Sequence, residues 1–546
     1  MKRISYLFLA LAMVITAGMS LTSCSVSDNP AVPQDPAVPQ DPALADVTIM
    51  YYGHGGGNLD LYYIDNLRHL YQAEASSYEN VKIAIEYKFS TTDNLPLFDS
   101  EEEKQEREER MKIGGKTAEV ELYSREYLEW MSPEGSSTLR FVLDPKLTLK
   151  EQAEGHYLPG KNADFTNPDS LTNFINWAAK ACPAKRYVLI LNDHGSGYTP
   201  HDEIYNGSAA STRGVIFDDG NARRHFTAPS LAHAVRAASI RPDVIYFDAC
   251  MMNSLEYMFE LKDVTDYIVA STYVTYAGGP YATLIDVLSK TSDHLKYGLE
   301  KYTEYYIKYF EGFITEGAVF YYDMTVTETA MLDQLGKVMR EFTDRLCNTY
   351  QYGTAEQKQD IDEVTREAIK ITDSNALYDV CRYMEDMCRA MPEVYDAAFV
   401  NELSESFNNC IAGQYTSKYL LDRDYQVDYS VLLATKGAYL KTSWMESYTA
   451  PETRTLTSMT RYEPDGRYIT YSVENGVFKK DVTPDYTLKA ESEGQWGGTL
   501  ESVYGALAFD KATGWSRWLK LNQQEPNLKC FVEPYTTIWS GPKGWK

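Results

Sequence analysis

The chain has 546 residues, more than one hydrophobic core usually holds, so two or three domains are expected. Apolar residues make up 44% and charged residues 24%, which is the balance of an ordinary globular protein. The 52 Lys and Arg against 78 Asp and Glu leave a formal net charge of −26, which argues against nucleic acid as a partner and favours solubility.

Lys2 and Arg3 precede an apolar run from Ile4 to about Leu21, the pattern of an export signal rather than a stable membrane span. The run ends in Leu21-Thr22-Ser23-Cys24, which resembles a bacterial lipobox, so Cys24 is expected to carry lipid. No other stretch approaches the roughly 18 apolar residues that a spanning helix needs. The expectation is an exported lipoprotein, held at the cell envelope by lipid alone and otherwise a soluble monomer. Residues 24–45 form a tether in which Ala31-Val32-Pro33-Gln34-Asp35-Pro36 is repeated as Ala37 to Pro42. Polyproline geometry at about 3.1 Å per residue gives such a spacer a reach of roughly 40 Å.

The folded part opens with a predicted strand, Val47 to Tyr52. Gly53-His54-Gly55-Gly56-Gly57-Asn58 then turns into a helix carrying Leu59, Tyr62, Tyr63, Leu67 and Leu70. His54 closes the strand and would border any cleft there. His-Gly-Gly-Gly also mimics a lipase oxyanion loop, but the Gly-x-Ser-x-Gly elbow that reading needs is absent from the sequence. Further strands are predicted at Val81–Tyr87 and Leu139–Leu143, with a solvated charged insertion from Glu101 to Arg110 between them. A helix from Ser170 to Ala181 leads into the strand Arg186–Leu191. The polar segment Thr199–Gly214 reads as a long loop, and Gly214–Phe217 as a short strand. The helix Pro229–Ala238 precedes the strand Asp243–Phe247, and another strand follows at Tyr267–Ser271. Strands alternating with helices predict a mainly parallel sheet covered on both faces. From Asp293 to Asn409 the pattern is mostly helical, interrupted by the strand-like Gly317–Tyr322. From Asp428 onward Thr, Tyr, Val and Gly with turn signals predict short antiparallel strands.

Two strands stop at a reactive side chain: Tyr187-Val188-Leu189-Ile190-Leu191-Asn192-Asp193-His194-Gly195 and Val244-Ile245-Tyr246-Phe247-Asp248-Ala249-Cys250. Sites in open α/β sheets lie beyond the carboxyl ends of strands. A thiolate nucleophile needs a base, which His194 can supply before returning the proton to a leaving amine. Gly195, lacking Cβ, lets its amide approach a developing oxyanion, with the Cys250 amide as the second donor. Taken singly, a cysteine on a strand is more often a buried small hydrophobe, and a His-Gly pair a turn. Seven cysteines follow Cys24, so at least one thiol stays unpaired if the others pair. Their spacing gives no zinc pattern, so no metal is expected.

Together, Leu191-Asn192-Asp193-His194-Gly195-Ser196-Gly197 and Phe247-Asp248-Ala249-Cys250-Met251-Met252 resemble the clostripain family of caspase-like cysteine peptidases. The likeness continues in Pro183–Tyr187 and Gly279-Pro280-Tyr281, and weakly in Tyr425–Ser430 and Ala508–Trp515. It implies a caspase-like α/β catalytic domain over 46–330, then a helical region at 331–427 and a smaller β-rich part at 428–546. It also implies an endopeptidase with a Cys250/His194 dyad acting on protein or peptide substrates. Family members typically cut after Arg or Lys, and Asp248 matches one carboxylate of their S1 pocket, where it would pair with a basic side chain. Downstream this chain departs from the family: Thr275-Tyr276-Ala277-Gly278 carries no carboxylate, and Tyr276 would make the pocket more apolar. Relatives are often activated by cutting themselves in the loop after the histidine, where Arg213 is the candidate. Calcium helps some relatives, yet no EF-hand pattern is present and no cofactor is expected. The alternative reading is an inactive or latent caspase-like fold serving as a surface binding or scaffold lipoprotein.

Overall fold

The computed structural model describes residues 44–55, 59–89, 138–158, 163–198, 214–218, 224–273, 275, 279–311, 323–369, 371, 377–417, 428–433, 458–462, 467–474, 477–484 and 504–523. Cys24, the tether as far as residue 43, the charged insertion, Arg213, Tyr276 and the strand-like Gly317–Tyr322 lie outside them, while Ala45, expected to end the tether, opens the first strand.

The strands in chain order are β1 (Ala45–His54), β2 (Val81–Lys88), β3 (Thr138–Val142), β4 (Ala184–Asn192), β5 (Val215–Asp218), β6 (Arg224–Phe226), β7 (Val244–Asp248) and β8 (Tyr267–Ala270). They continue with β9 (Asp323–Glu328), β10 (Leu377–Asp379), β11 (Ile411–Thr416), β12 (Ser430–Leu432), β13 (Ser458–Tyr462), β14 (Arg467–Glu474) and β15 (Val477–Pro484). Eight of these form one sheet in the order β11-β9-β8-β7-β4-β1-β2-β3. Its five middle strands, β8, β7, β4, β1 and β2, run parallel, and β3, β9 and β11 add antiparallel edges.

The sequence gives this sheet two apolar faces because side chains alternate along a strand. Met50, Tyr52, Leu189, Leu191, Ile245 and Phe247 enter one core. Their neighbours Ile49, Tyr51, Val188, Ile190, Val244 and Tyr246 enter the other. Burial on both faces explains why these strands read as continuous apolar runs. The helices Pro168–Ala181, Ala228–Ala237, Leu255–Leu261 and Leu332–Tyr352 cover the first face. Asp60–His69, Tyr281–Thr291 and Leu295–Glu311 cover the second.

The helix Pro168–Ala181 shows how local sequence sets its place. Asn167 caps it by accepting from the Asp169 N–H, and Pro168 presets the first turn. Leu171, Phe174, Ile175 and Ala178 recur at helical spacing and are fully buried. Truncating Phe174 to Ala would cost about 3–5 kcal/mol.

The sheet does not stop where the helical region begins. β11 pairs with β9, so residues beyond 400 complete its edge. β13, β14 and β15 form the expected antiparallel meander. Two helices then follow, Ala508–Thr513 and Trp515–Gln523, separated by Gly514 in the left-handed conformation. Their Phe509, Trp515, Trp518 and Leu519 are buried in the same core as the helix Leu255–Leu261. No described helix is long and apolar enough to cross a membrane.

Candidate active site

β4 and β7 are parallel neighbours with Asn192 opposite Asp248. His194 lies two residues past Asn192, and Cys250 two residues past Asp248, at the same edge of the sheet. The two loops touch through their backbones. The Asp193 N–H donates to the Asp248 carbonyl at 3.4 Å. A Cβ placed on Gly195 would lie 2.4 Å from the Cys250 carbonyl oxygen and 3.0 Å from the Cys250 nitrogen. Only glycine permits that approach.

Cys250 is half-buried. Burial pushes its thiol above the usual range, while Thr275 and the Gly195 backbone N–H pull the other way. Thr275 meets the sulfur twice: its Oγ1 donates to Sγ at 3.7 Å, and the thiol can donate to its carbonyl at 3.5 Å. A thiol held in this way needs a base to become a nucleophile. All six described cysteines, Cys182, Cys250, Cys347, Cys381, Cys388 and Cys410, are free thiols. Cys250 is set apart by its position just past a strand end: Cys182, Cys347, Cys388 and Cys410 are buried in the apolar core, and Cys381, half-buried like Cys250, lies in the helix Val380–Ala390.

His194 is half-buried, with its ring edge-on to Phe217 at 6.2 Å between centroids. Its backbone is tied on both sides. Its N–H donates to Asp193 Oδ1 at 2.5 Å, and its carbonyl accepts from the Ile216 N–H at 3.3 Å. Two residues beside the dyad positions have positive φ, Ile216 at 60° and Met251 at 58°. For Ile, branched at Cβ, this is a strained conformation, costing on the order of 1–3 kcal/mol, and such strain clusters at functional sites. Neighbouring bonds hold both: the Ile216 N–H to His194, and the Met251 N–H to the Tyr273 carbonyl at 2.8 Å.

Asp248 is buried beside this edge, and three donors converge on one oxygen. Tyr281 OH lies 2.5 Å, Asn192 Nδ2 2.7 Å and Asn66 Nδ2 3.3 Å from Oδ2. Burial pushes its carboxyl up to about 6, against the lowering effect of these three bonds. Gly279 faces Asp248, where a Cβ would sit 3.8 Å from Oδ2. The His69 ring reaches the Gly279 carbonyl at 3.1 Å. Asn66 and His69 were not singled out by the sequence, because isolated polar residues on a helix carry no local pattern, and Asn192 and Tyr281 appeared there only as parts of the family-like motifs.

His54 is wholly buried at the end of β1, between the carboxylates of Asp193 at 3.3 Å and Asp218 at 3.7 Å. Among the described residues, no group of three or more His, Cys, Asp or Glu side chains is gathered as metal ligands.

A model of the clostripain family matches residues 147–460, more than half of the chain. Clostripain of Hathewaya histolytica is 23% identical over 244 residues, which are 43% of this chain and 40% of that protein. The match thus spans less than half the length of that curated relative. Among solved structures, a secreted C11 cysteine protease from Bacteroides thetaiotaomicron, "iotapain", is 18% identical with a TM-score of 0.47, over 69% of this chain and 88% of that one. A secreted C11 cysteine protease from the same organism, in complex with an irreversible peptide inhibitor, is 14% identical with a TM-score of 0.48, over 86% of this chain and 99% of that one.

Proposed function

The chain belongs to the clostripain family of cysteine peptidases, and from that premise we propose that it is an endopeptidase with Cys250 as nucleophile and His194 as base and acid. His194 takes the Cys250 proton as sulfur attacks the scissile carbonyl. It returns that proton to the leaving amine, and water then releases the acyl group. The amides of Gly195 and Cys250 receive the oxyanion. The observation that carries this reading is the in-register pairing of Asn192 with Asp248, two residues short of His194 and Cys250.

Asp248 serves as the carboxylate of the pocket for a basic side chain, so cleavage follows Arg or Lys. Its burial supports this role, because a desolvated carboxylate gains most from an incoming cation. Tyr276 contributes to substrate binding, Arg213 is the site of self-cleavage, and Cys24 carries the lipid that holds a monomeric enzyme at the envelope. The enzyme needs no cofactor.

The test is to express residues 25–546 and its Cys250→Ala variant, offer each a mixed peptide library, and map the cuts by mass spectrometry. Cuts after Arg or Lys by the native chain alone support dyad and pocket together. Cuts after other residues keep the dyad and reject the pocket assignment. Absence of cuts with reductant and calcium present, persisting after limited trypsin treatment of the same sample, rejects the peptidase reading.

A further inference from the structure

The buried polar cluster around His54 has no part in the proposed chemistry, yet it leads directly to the base. His54 Nδ1 lies 3.3 Å from Asp193 Oδ2, and Nε2 faces Asp218 Oδ1 at 3.7 Å, a contact longer than a hydrogen bond that becomes an ion pair when the imidazole is protonated. Asp193 is the chain neighbour of His194, and Asp218 is the chain neighbour of Phe217, whose ring meets the imidazole. Asp193 immediately precedes His194 and accepts its N–H at Oδ1. At Oδ2 it accepts the N–H of Phe217, the residue whose ring meets the imidazole, at 2.7 Å. Asp218 follows Phe217, accepts from Lys88 Nζ at 2.6 Å, and accepts the Phe165 N–H at 2.8 Å. Lys88 also donates to the Ala163 carbonyl at 2.8 Å. His54, Asp193 and Asp218 are all completely buried or nearly so, at 0%, 1% and 0% exposure.

Burying two carboxylates and an imidazole is costly unless each is paired. A scaffold needing only a filled space at the end of β1 would place an apolar side chain there. This cluster instead ties the end of β1 to both segments that frame the imidazole.

We infer that His54 is a positioning residue for His194: by bridging Asp193 and Asp218 it fixes the two backbone segments, 193–195 and 216–218, between which the base is held. The inference rests on the Cys250/His194 reading above. Loss of the bridge leaves the substrate pocket intact but lets the imidazole drift from its working geometry, and a displacement near 1 Å can cost about 100-fold in rate.

The test compares the native enzyme with His54→Gln and His54→Phe. Active sites are counted with an irreversible thiol-directed peptide, so each rate is per working site, and thermal melting is followed in parallel. Gln keeps one donor, while Phe keeps ring volume and removes both contacts. The expected result for Gln is a fall in kcat of about 10- to 100-fold with KM little changed, and a displaced acidic limb of the kcat/KM profile. Phe should fall further, or fail to fold, in which case Gln alone decides. A merely structural His54 would lower the melting temperature or the count of working sites while leaving kcat per site and the pH profile alone, and that outcome overturns the inference. If native enzyme neither cleaves nor takes the label at Cys250, the peptidase reading itself has failed, and the inference with it.

Discussion

Asp248→Asn separates electrostatics from packing at the pocket. Burial raises the folded-state carboxyl from 3.8 to about 6, net of its three hydrogen bonds. At 1.36 kcal/mol per pH unit, keeping this group ionised in the fold costs about 3 kcal/mol at most. The sign follows from proton binding: between about pH 4 and 6 the folded chain holds this proton and the unfolded chain does not, so this group's contribution to stability falls as pH rises through that window and levels off above it. The amide of Asn can keep its oxygen facing Tyr281, Asn192 and Asn66 without the charge. The variant should therefore be more stable than the native chain near pH 8 by about 2 kcal/mol, with the difference vanishing toward pH 4. Melting temperatures of both chains across that range read this directly. The same change should lower kcat/KM for Arg and Lys peptides by about 100-fold, because the cation loses its buried partner. In the native enzyme, cleavage after basic residues should weaken as pH falls below about 6, as the carboxyl takes up its proton. A less stable variant at pH 8, or unchanged cleavage after Arg, would refute the assignment of a charged, desolvated Asp248.

Gly195→Ala forces a Cβ against the Cys250 backbone and should cost about 100- to 1000-fold in kcat by spreading the oxyanion donors, measured with a chromogenic amide. Thr275→Val removes the hydroxyl that donates to Cys250 Sγ. The midpoint of Cys250 alkylation against pH should move upward, and an unmoved midpoint would mean that the threonine does not act on the thiol. Ending the chain before Tyr504 removes the buried Tyr504, Phe509, Trp515, Trp518 and Leu519. It also removes the Tyr504 bond to Glu256, at 2.7 Å. At about 1.5–3 kcal/mol each these side chains contribute on the order of 10 kcal/mol, comparable to a whole domain's stability, so soluble expression should be lost.

The central strands were legible because Val, Ile, Leu and Tyr ran unbroken to Asn192 and Asp248, as burial on both faces requires. The paired candidates were legible for the same reason: each ends such a strand. The tail was read as β-rich from its Thr and Tyr content, and 458–484 does pair that way. The helices at 508–523 escaped that reading, although Trp515, Trp518 and Leu519 stand at helical spacing within the second of them. The surroundings of Asp248 and His54 were illegible in principle. Asn66 and Tyr281 come from two helices and Asn192 from a strand, and the His54 cluster joins residues more than 130 positions apart, so only the tertiary fold brings them together.

The most direct test of the account is to expose the native chain, with its other free thiols present, to an irreversible thiol-reactive peptide ending in Arg or Lys, and to locate the adduct by mass spectrometry. The account predicts one adduct, at Cys250, formed rapidly by the native chain, slowly by a His194→Ala variant and with reduced preference for the basic peptide by Asp248→Asn. Labelling spread over several cysteines, or at Cys250 with the same rate after His194 is removed, would contradict it.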